Sequence, residues 1–217
     1  MAEDDELREE GGSTEEDDAG LGRVLALSDG VFAIAMTLLA LDLRIPDVSN
    51  KDLPHALADH AGAYLAFLLS FFVISRYWLN HHRMFRHIVR VDGGTMRLNL
   101  LFLLVVAALP FPTAVLSNHG STTAGVVLYA SSVVAATLLL GALWLWAGNH
   151  SLTAVTMPRR ATYDEASVSF VVAVVFLVSI PVAFVVPSEA AFIWLLLFLP
   201  RRTMLLGAQR VRRLFRH

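Results

Sequence analysis

The side chains able to do chemistry in this 217-residue chain crowd into its first hundred positions. Asp29 follows Ser28 inside an apolar run that opens at Arg23 and carries Thr37 before it closes at Asp42. A carboxylate inside a membrane-length apolar segment costs several kcal/mol unless it is paired, so it marks function by default. Its candidate partners are Arg23 on the same element and Trp78, His82 and Asn99 further along. An acid so paired rigidifies the packing and could also exchange a proton. The competing reading makes Asp29 a helix N-cap before Gly30. A helix starting there would leave roughly 14 residues, about 21 Å, before Arg44, too short to span a bilayer. A helix beginning near Arg23, with Asp29 inside it, is therefore expected. The pair His81-His82 suggests metal ligation, but adjacent histidines leave a helix on different faces and no carboxylate stands four residues on. No metal site is expected, and His82 reads as a hydrogen-bonding group at the membrane edge.

The elements that must position these groups follow from composition. Apolar residues make up 56% of the chain and charged residues 17%, with a mean hydropathy of +0.59. Soluble domains hold roughly 45–50% and about 25%, so a disordered chain, a nucleic-acid-binding domain and most soluble enzymes are excluded. With no cysteine, disulfides, thiolate metal sites and a cysteine nucleophile are excluded as well. Phosphate loops, zinc-protease helices, nucleophile elbows and dinucleotide fingerprints are absent from the sequence, as is a Thr-Val-Gly-Tyr-Gly potassium filter. The chain does not read as an enzyme, and no cofactor is expected.

The net charge of −2 is an average of two regions. Residues 1–22 hold ten acids and one base, a net of −9, and the remainder carries +7. The first segment has too few apolar residues to offset the entropy of ordering, so a disordered acidic tail is expected over 1–22. Six apolar stretches follow, at 24–43, 61–79, 98–116, 124–147, 168–186 and 190–206. Each is near the ~20 residues a helix needs to cross a bilayer, and a spanning segment must satisfy its own backbone. An all-α membrane protein with six transmembrane helices over 23–207 is expected, followed by a basic tail at 208–217. Every second loop is rich in arginine, which places both termini in the cytoplasm of a multi-pass plasma-membrane protein. Arg210, Arg212, Arg213 and Arg216 then read as a topology-fixing anchor.

Polar residues concentrate in the first three stretches, so an aqueous route should lie against them, with the last three as lipid-facing scaffold. Ile34, Leu38 and Leu41 recur at i, i+4 and i+7, one helix face over about 10 Å, with Thr37 on the same flank. Spacing alone favours a packing stripe. In a symmetric oligomer the same stripe could ring a pore, where apolar rings gate by dewetting and threonine hydroxyls replace part of a cation's hydration shell.

The run from Arg23 through Leu27-Ser28-Asp29 to Ile34, Thr37 and Leu38 resembles the prokaryotic branch of the transmembrane protein 175 family. Its members are potassium-permeable channels related to an endosomal and lysosomal channel of animals. The hallmark is an arginine, three residues, then Phe-Ser-Asp near the start of the first helix. Here Leu27 stands where phenylalanine is usual, a change that would weaken packing behind the motif. The similarity continues through Trp78, His81-His82, Asn99 and Leu109-Pro110-Phe111 and covers 23–206. The resemblance implies a homotetramer whose first helices line a central pore conducting K+. It implies a main constriction at Ile34, further rings at Leu38 and Leu41, and a role for Thr37 in ion passage. It also implies a network of Arg23, Ser28, Asp29, Trp78, His82 and Asn99 bracing the pore helix. Four copies of Asp42 at the outer mouth would concentrate cations. The alternative is a proton-coupled small-solute or ion transporter using Asp29, although 23–117 and 124–206 show no internal repeat. A non-conducting scaffold or membrane-embedded enzyme is the third reading.

Overall fold

A computed structural model describes residues 2–43, 47–154, 172–190 and 193–194, with side chains from Gly20 onward except at 188–189. The chain is helical: α1 (Ala2–Leu38) tightens into a 3-10 turn (Leu39–Asp42) and is followed by a short α2 (Leu53–Asp59). Then come α3 (Ala61–Phe85), α4 (Gly93–Ala108), α5 (Pro110–His119) and α6 (Thr123–Asn149). A helix over Val172–Ala183, α7, and the short α8 (Pro187–Ala190) complete the described elements. Four helical segments are long and apolar enough to cross a membrane: Gly20–Asp42, Ala61–Phe85, Gly93–His119 and Thr123–Asn149. They coincide with the first four apolar stretches of the sequence. The fifth is represented by α7 and the sixth by residues 190 and 193–194 alone; the rest of the sixth, the C-terminal basic residues and the side chains of the acidic tail before Gly20 lie outside the described residues. The backbone of α1 continues N-terminally to Ala2, so Arg23 and Asp29 are both interior to a helix and Asp29 is not an N-cap.

The third span is broken where the sequence demands it. Pro110 and Pro112 remove two backbone donors and their rings crowd the preceding turn. Leu109 between the halves keeps helical angles (φ −55°, ψ −33°), and its N–H turns to the closer carbonyl of Val106 at 3.1 Å. The Leu109 carbonyl accepts from Thr113 N at 3.1 Å and from Thr113 Oγ1 at 2.8 Å.

The expected lipid-facing role of the fourth span is corrected by its packing. Within its most apolar window α6 is 56% buried, against 28% for the first span and 22% for the second. It lies against α4 and α5 and presents Gly125, Ala130, Ala136 and Ala147 fully buried among Tyr129, Val133, Leu140 and Trp144. A helix apolar all round suits a protein interior as well as lipid, so composition alone does not separate the two. Between helices already in hydrocarbon, the gain comes from close packing at small residues rather than from expelling water.

At the α1 N-terminal side of the bundle, the α3–α4 loop and the segment after α6 are clasped together. Val89 N donates to Leu152 O and Ala154 N to His87 O, each at 2.9 Å, around an Ile88–Thr153 antiparallel bridge. Asp92 caps α4, accepting from Thr95 N at 2.7 Å, while Trp146 Nε1 of α6 donates to its two carboxylate oxygens at 3.2 and 3.1 Å. The indole lies where a Cβ on Gly94 would sit, so Gly94 admits the ring. The Thr95 side chain and N–H, with help from Trp146, hold the Asp92 carboxyl down at about 2. A depressed carboxyl contributes stability above its ordinary pKa of 3.8 and loses it as pH falls towards 2. Asp92→Ala is expected to cost about 1 kcal/mol near neutral pH. In thermal unfolding of the detergent-solubilised protein, the gap between variant and parent should close between pH 4 and pH 2.

Candidate functional site

Three helices meet at a buried side-chain amide. Ser28 Oγ, on α1, donates to the Val24 carbonyl at 2.7 Å, so its oxygen is left as an acceptor. Asn99 Nδ2, on α4, donates to it at 3.2 Å, which turns Asn99 Oδ1 towards His81 Nε2 of α3 at 2.9 Å. Because Oδ1 only accepts, His81 carries its proton on Nε2. Ser28, Asn99 and His81 are all buried. The imidazole stacks on Phe85 (4.3 Å between centroids) and Phe102 (6.0 Å) and meets the edge of Phe32 (5.6 Å). Each of the three side chains has a hydrogen-bond partner within the protein, which is what a dry interior requires.

Asp29 lies one residue beyond Ser28 and faces the other way. It is exposed on a single chain, and Trp78 Nε1 donates to its Oδ1 at 2.8 Å. His82 is exposed too and stacks on Trp78 at 5.7 Å. Arg23 is exposed and does not join the hydrogen-bonded set among the described residues. The expected network is thus two sets: a buried Ser28–Asn99–His81 series, and a pair of exposed Asp29 with half-buried Trp78, with His82 stacked beside it. His81 is the member the sequence reading missed, having given the hydrogen-bonding role to its neighbour. Ala66, Ser70, Ile74, Tyr77, His81 and Met84 form the buried face of α3, a spacing of three and four that sorts the two histidines.

The apolar stripe of α1 lies along the same uncovered face. Ile34 is 61% exposed, Leu38 40% and Leu41 75%, with Thr37 and Asp42 also exposed. The opposite face, with Val24, Ser28, Phe32, Ala35 and Leu39, is buried. Within one chain, then, Ile34, Leu38 and Leu41 are not a packing stripe. Thr37 Oγ1 donates to the Ile34 carbonyl at 2.9 Å, so its oxygen lone pairs remain available on the exposed side. The Leu39–Asp42 turn is 3-10, which winds Leu41 and Asp42 more tightly than the α-helical spacing assumes. Leu27 is 48% exposed, so the substitution in the hallmark does not disturb packing within the chain.

A second polar cluster lies deeper, where the census of charged residues gave no sign of it. Ser70 Oγ is 3.1 Å from Tyr129 Oη and 2.8 Å from Thr113 Oγ1. Tyr77 Oη is 2.7 Å from Thr137 Oγ1 and 2.9 Å from the Val133 carbonyl. Tyr129 and Thr137 belong to α6, so polarity reaches beyond the first three spans. Hydroxyls on otherwise apolar helices are easily missed when only acids and bases are tallied.

The bundle and its uncovered polar helix face define an integral membrane protein of all-helical architecture. The profile of the family described as endosomal/lysosomal potassium channel TMEM175 matches residues 23–110. A potassium channel of Streptomyces collinus is 45% identical over 128 residues, covering 57% of this chain and 62% of that protein. A potassium channel of Chamaesiphon minutus is 39% identical over 139 residues, covering 61% of this chain and 66% of that protein. The matched segments therefore make up less than two thirds of either relative's length. The crystal structure of a lysosomal potassium-selective channel TMEM175 homolog from Chamaesiphon minutus superposes with a TM-score of 0.72 at 29% identity, over 88% of this chain and 98% of that one. Over residues 23–110 the chain is thus similar to the TMEM175 family, and its fold is like that of a solved TMEM175 homolog.

Removing a buried partner leaves the rest of its series unsatisfied in a dry interior. Asn99→Ala is expected to cost about 1–3 kcal/mol, whereas Arg23→Ala, at an exposed position, should change stability by under about 0.5 kcal/mol. His81→Ala should resemble Asn99→Ala and His82→Ala should not. Thermal unfolding followed by tryptophan fluorescence distinguishes these outcomes.

Proposed function

We propose that this chain is one subunit of a cation channel that conducts potassium in preference to sodium. Four copies assemble with their first helices around a central pore in a prokaryotic plasma membrane, each subunit contributing six spans. The observation that carries the reading is the uncovered face of α1, where Ile34, Thr37, Leu38, Leu41 and Asp42 line up on a membrane-length helix held by its other side. Asp29 and Asp42 on that face suit neither lipid nor an isolated chain, because ionised groups in hydrocarbon need partners or water. A symmetric assembly supplies both. The named relatives, described as potassium channels, support the permeant ion.

In this arrangement Ile34 forms the main apolar constriction, and Leu38 and Leu41 make further rings. Rings of this kind gate by dewetting. The Thr37 oxygen, its proton given to Ile34, offers lone pairs to a partly dehydrated cation. Asp29 and Trp78, with His82 stacked beside them and Arg23 near the helix start, lie where neighbouring subunits would meet. The buried Ser28–Asn99–His81 series holds α1 from behind. Arg23, Arg83, Arg86, Arg90 and Arg97 lie towards one end of the bundle, which supports a cytoplasmic position for that end and an outer position for Asp42. There four carboxylates raise the local cation concentration.

Reconstitution into liposomes under a potassium or sodium gradient tests the reading. A reversal potential set by potassium is expected; a saturable, proton-coupled flux would replace the channel with a transporter using Asp29. Ile34→Asn or Ile34→Ser should raise the leak several-fold, and an unchanged open probability and conductance would remove Ile34 as the gate. Asp42→Asn should lower inward conductance in about 0.01 M salt and have little effect in about 1 M, where screening shortens from roughly 30 Å to roughly 3 Å.

A further inference from the structure

The Asp42 end of α1 leans on α5 and α3, and α5 begins at the proline break without a side-chain cap. What holds α5 at its angle is a run of buried hydroxyls. The Leu109 carbonyl, at the break, accepts from Thr113 N at 3.1 Å and lies 2.8 Å from Thr113 Oγ1. Thr113 Oγ1 is 2.8 Å from Ser70 Oγ of α3, and Ser70 Oγ is 3.1 Å from Tyr129 Oη of α6. Each hydroxyl has one proton to give. Ser70 gives its proton to Tyr129 Oη, and the Thr113 hydroxyl lies between two acceptors, Ser70 Oγ and the Leu109 carbonyl. All three side chains are buried, so water does not replace a missing member. Threonine bonding back to the carbonyl four residues earlier bends a helix, and here it acts where the prolines interrupt the helix's own hydrogen bonds.

We propose that the Tyr129–Ser70–Thr113 chain sets the angle of α5 and through it the position of the 3-10 turn that carries Leu41 and Asp42. Thr113, Ser70 and Tyr129 are then positioning residues for the outer part of the conduction path, acting from behind α1 and touching no ion. This rests on the reading of α1 as the pore wall. Its distinctive content is mechanical: a hydroxyl lost at the break should move the end of α1 while leaving the far end of the bundle alone.

The sequence has no cysteine, so one introduced thiol reports one position. Leu41→Cys, in the full-length protein in liposomes, is labelled with a water-soluble thiosulfonate and the modification rate is read. Thr113→Val and Tyr129→Phe, both close in shape to the parent side chains, should each raise that rate about fivefold, the scale of one lost buried hydrogen bond. Thr113→Ser should restore it. Val89→Cys, on the α3–α4 loop, should react at the parental rate in every background. Unchanged labelling at Leu41→Cys in both variants overturns the proposal. So does an equal rise at Val89→Cys, which would mean general loosening. The readout does not need conduction: absence of ion flux through the parent protein would remove the channel reading and leave the labelling result standing.

Discussion

A side-chain amide buried in a membrane-spanning bundle has no water to turn to, so Asn99 must find partners for both its oxygen and its nitrogen inside the protein. It finds them on two different helices, Ser28 of α1 and His81 of α3, at 3.2 and 2.9 Å. That requirement fixes the rotation of α1 about its own axis. With Ser28 inward, Val24, Phe32, Ala35 and Leu39 are inward as well, and the alternate face with Asp29, Ile34, Thr37 and Leu41 must be outward. The chemistry proposed for that outer face follows from a hydrogen bond made on the other side of the helix.

Two hydrogen-bonded sets therefore divide the work. The Ser28–Asn99–His81 series operates near the Arg23 end and is enclosed by Phe32, Phe85 and Phe102. The Tyr129–Ser70–Thr113 chain operates at the break in the third span, closer to the end that bears Asp42. Between them α1 is steadied along its inner side while its outer side is left uncovered within the chain. At the Arg23 end, Asp92 and Trp146 bind the start of α4 to the end of α6, and Gly94 leaves room for the indole.

Much of this was legible in the residues. Four of the expected spans are membrane-length helical segments, and Ile34, Leu38 and Leu41 share a face; the interruption at Leu109 within the third was not read from its prolines. Asp29 inside a helix rather than at its cap followed from the length a span needs. The division of the polar residues was not legible. Ser28 and Asp29 are adjacent, as are His81 and His82, and neighbours on a helix diverge by about 100°. Which member of each pair turns inward depends on where α1, α3 and α4 cross, and that is set by contacts far apart in sequence.

The burial of α6 shows the same limit from the other direction. A helix surrounded by protein and a helix surrounded by lipid both want an apolar surface all round, so its composition was compatible with either place. By itself, the sequence determined that the chain is a helical membrane protein, where its first four spans lie, and which residues carry charge or hydroxyls at membrane depth. Those properties are local, fixed by length and hydropathy. Only the tertiary structure decided that His81 rather than His82 meets Asn99, that Tyr129 and Thr137 extend polarity into the fourth span, and that the Ile34 face of α1 is left uncovered. Each of those depends on how helices rotate and pack against one another, and in hydrocarbon that is settled by shape and by the need of every buried hydrogen-bonding group for a partner.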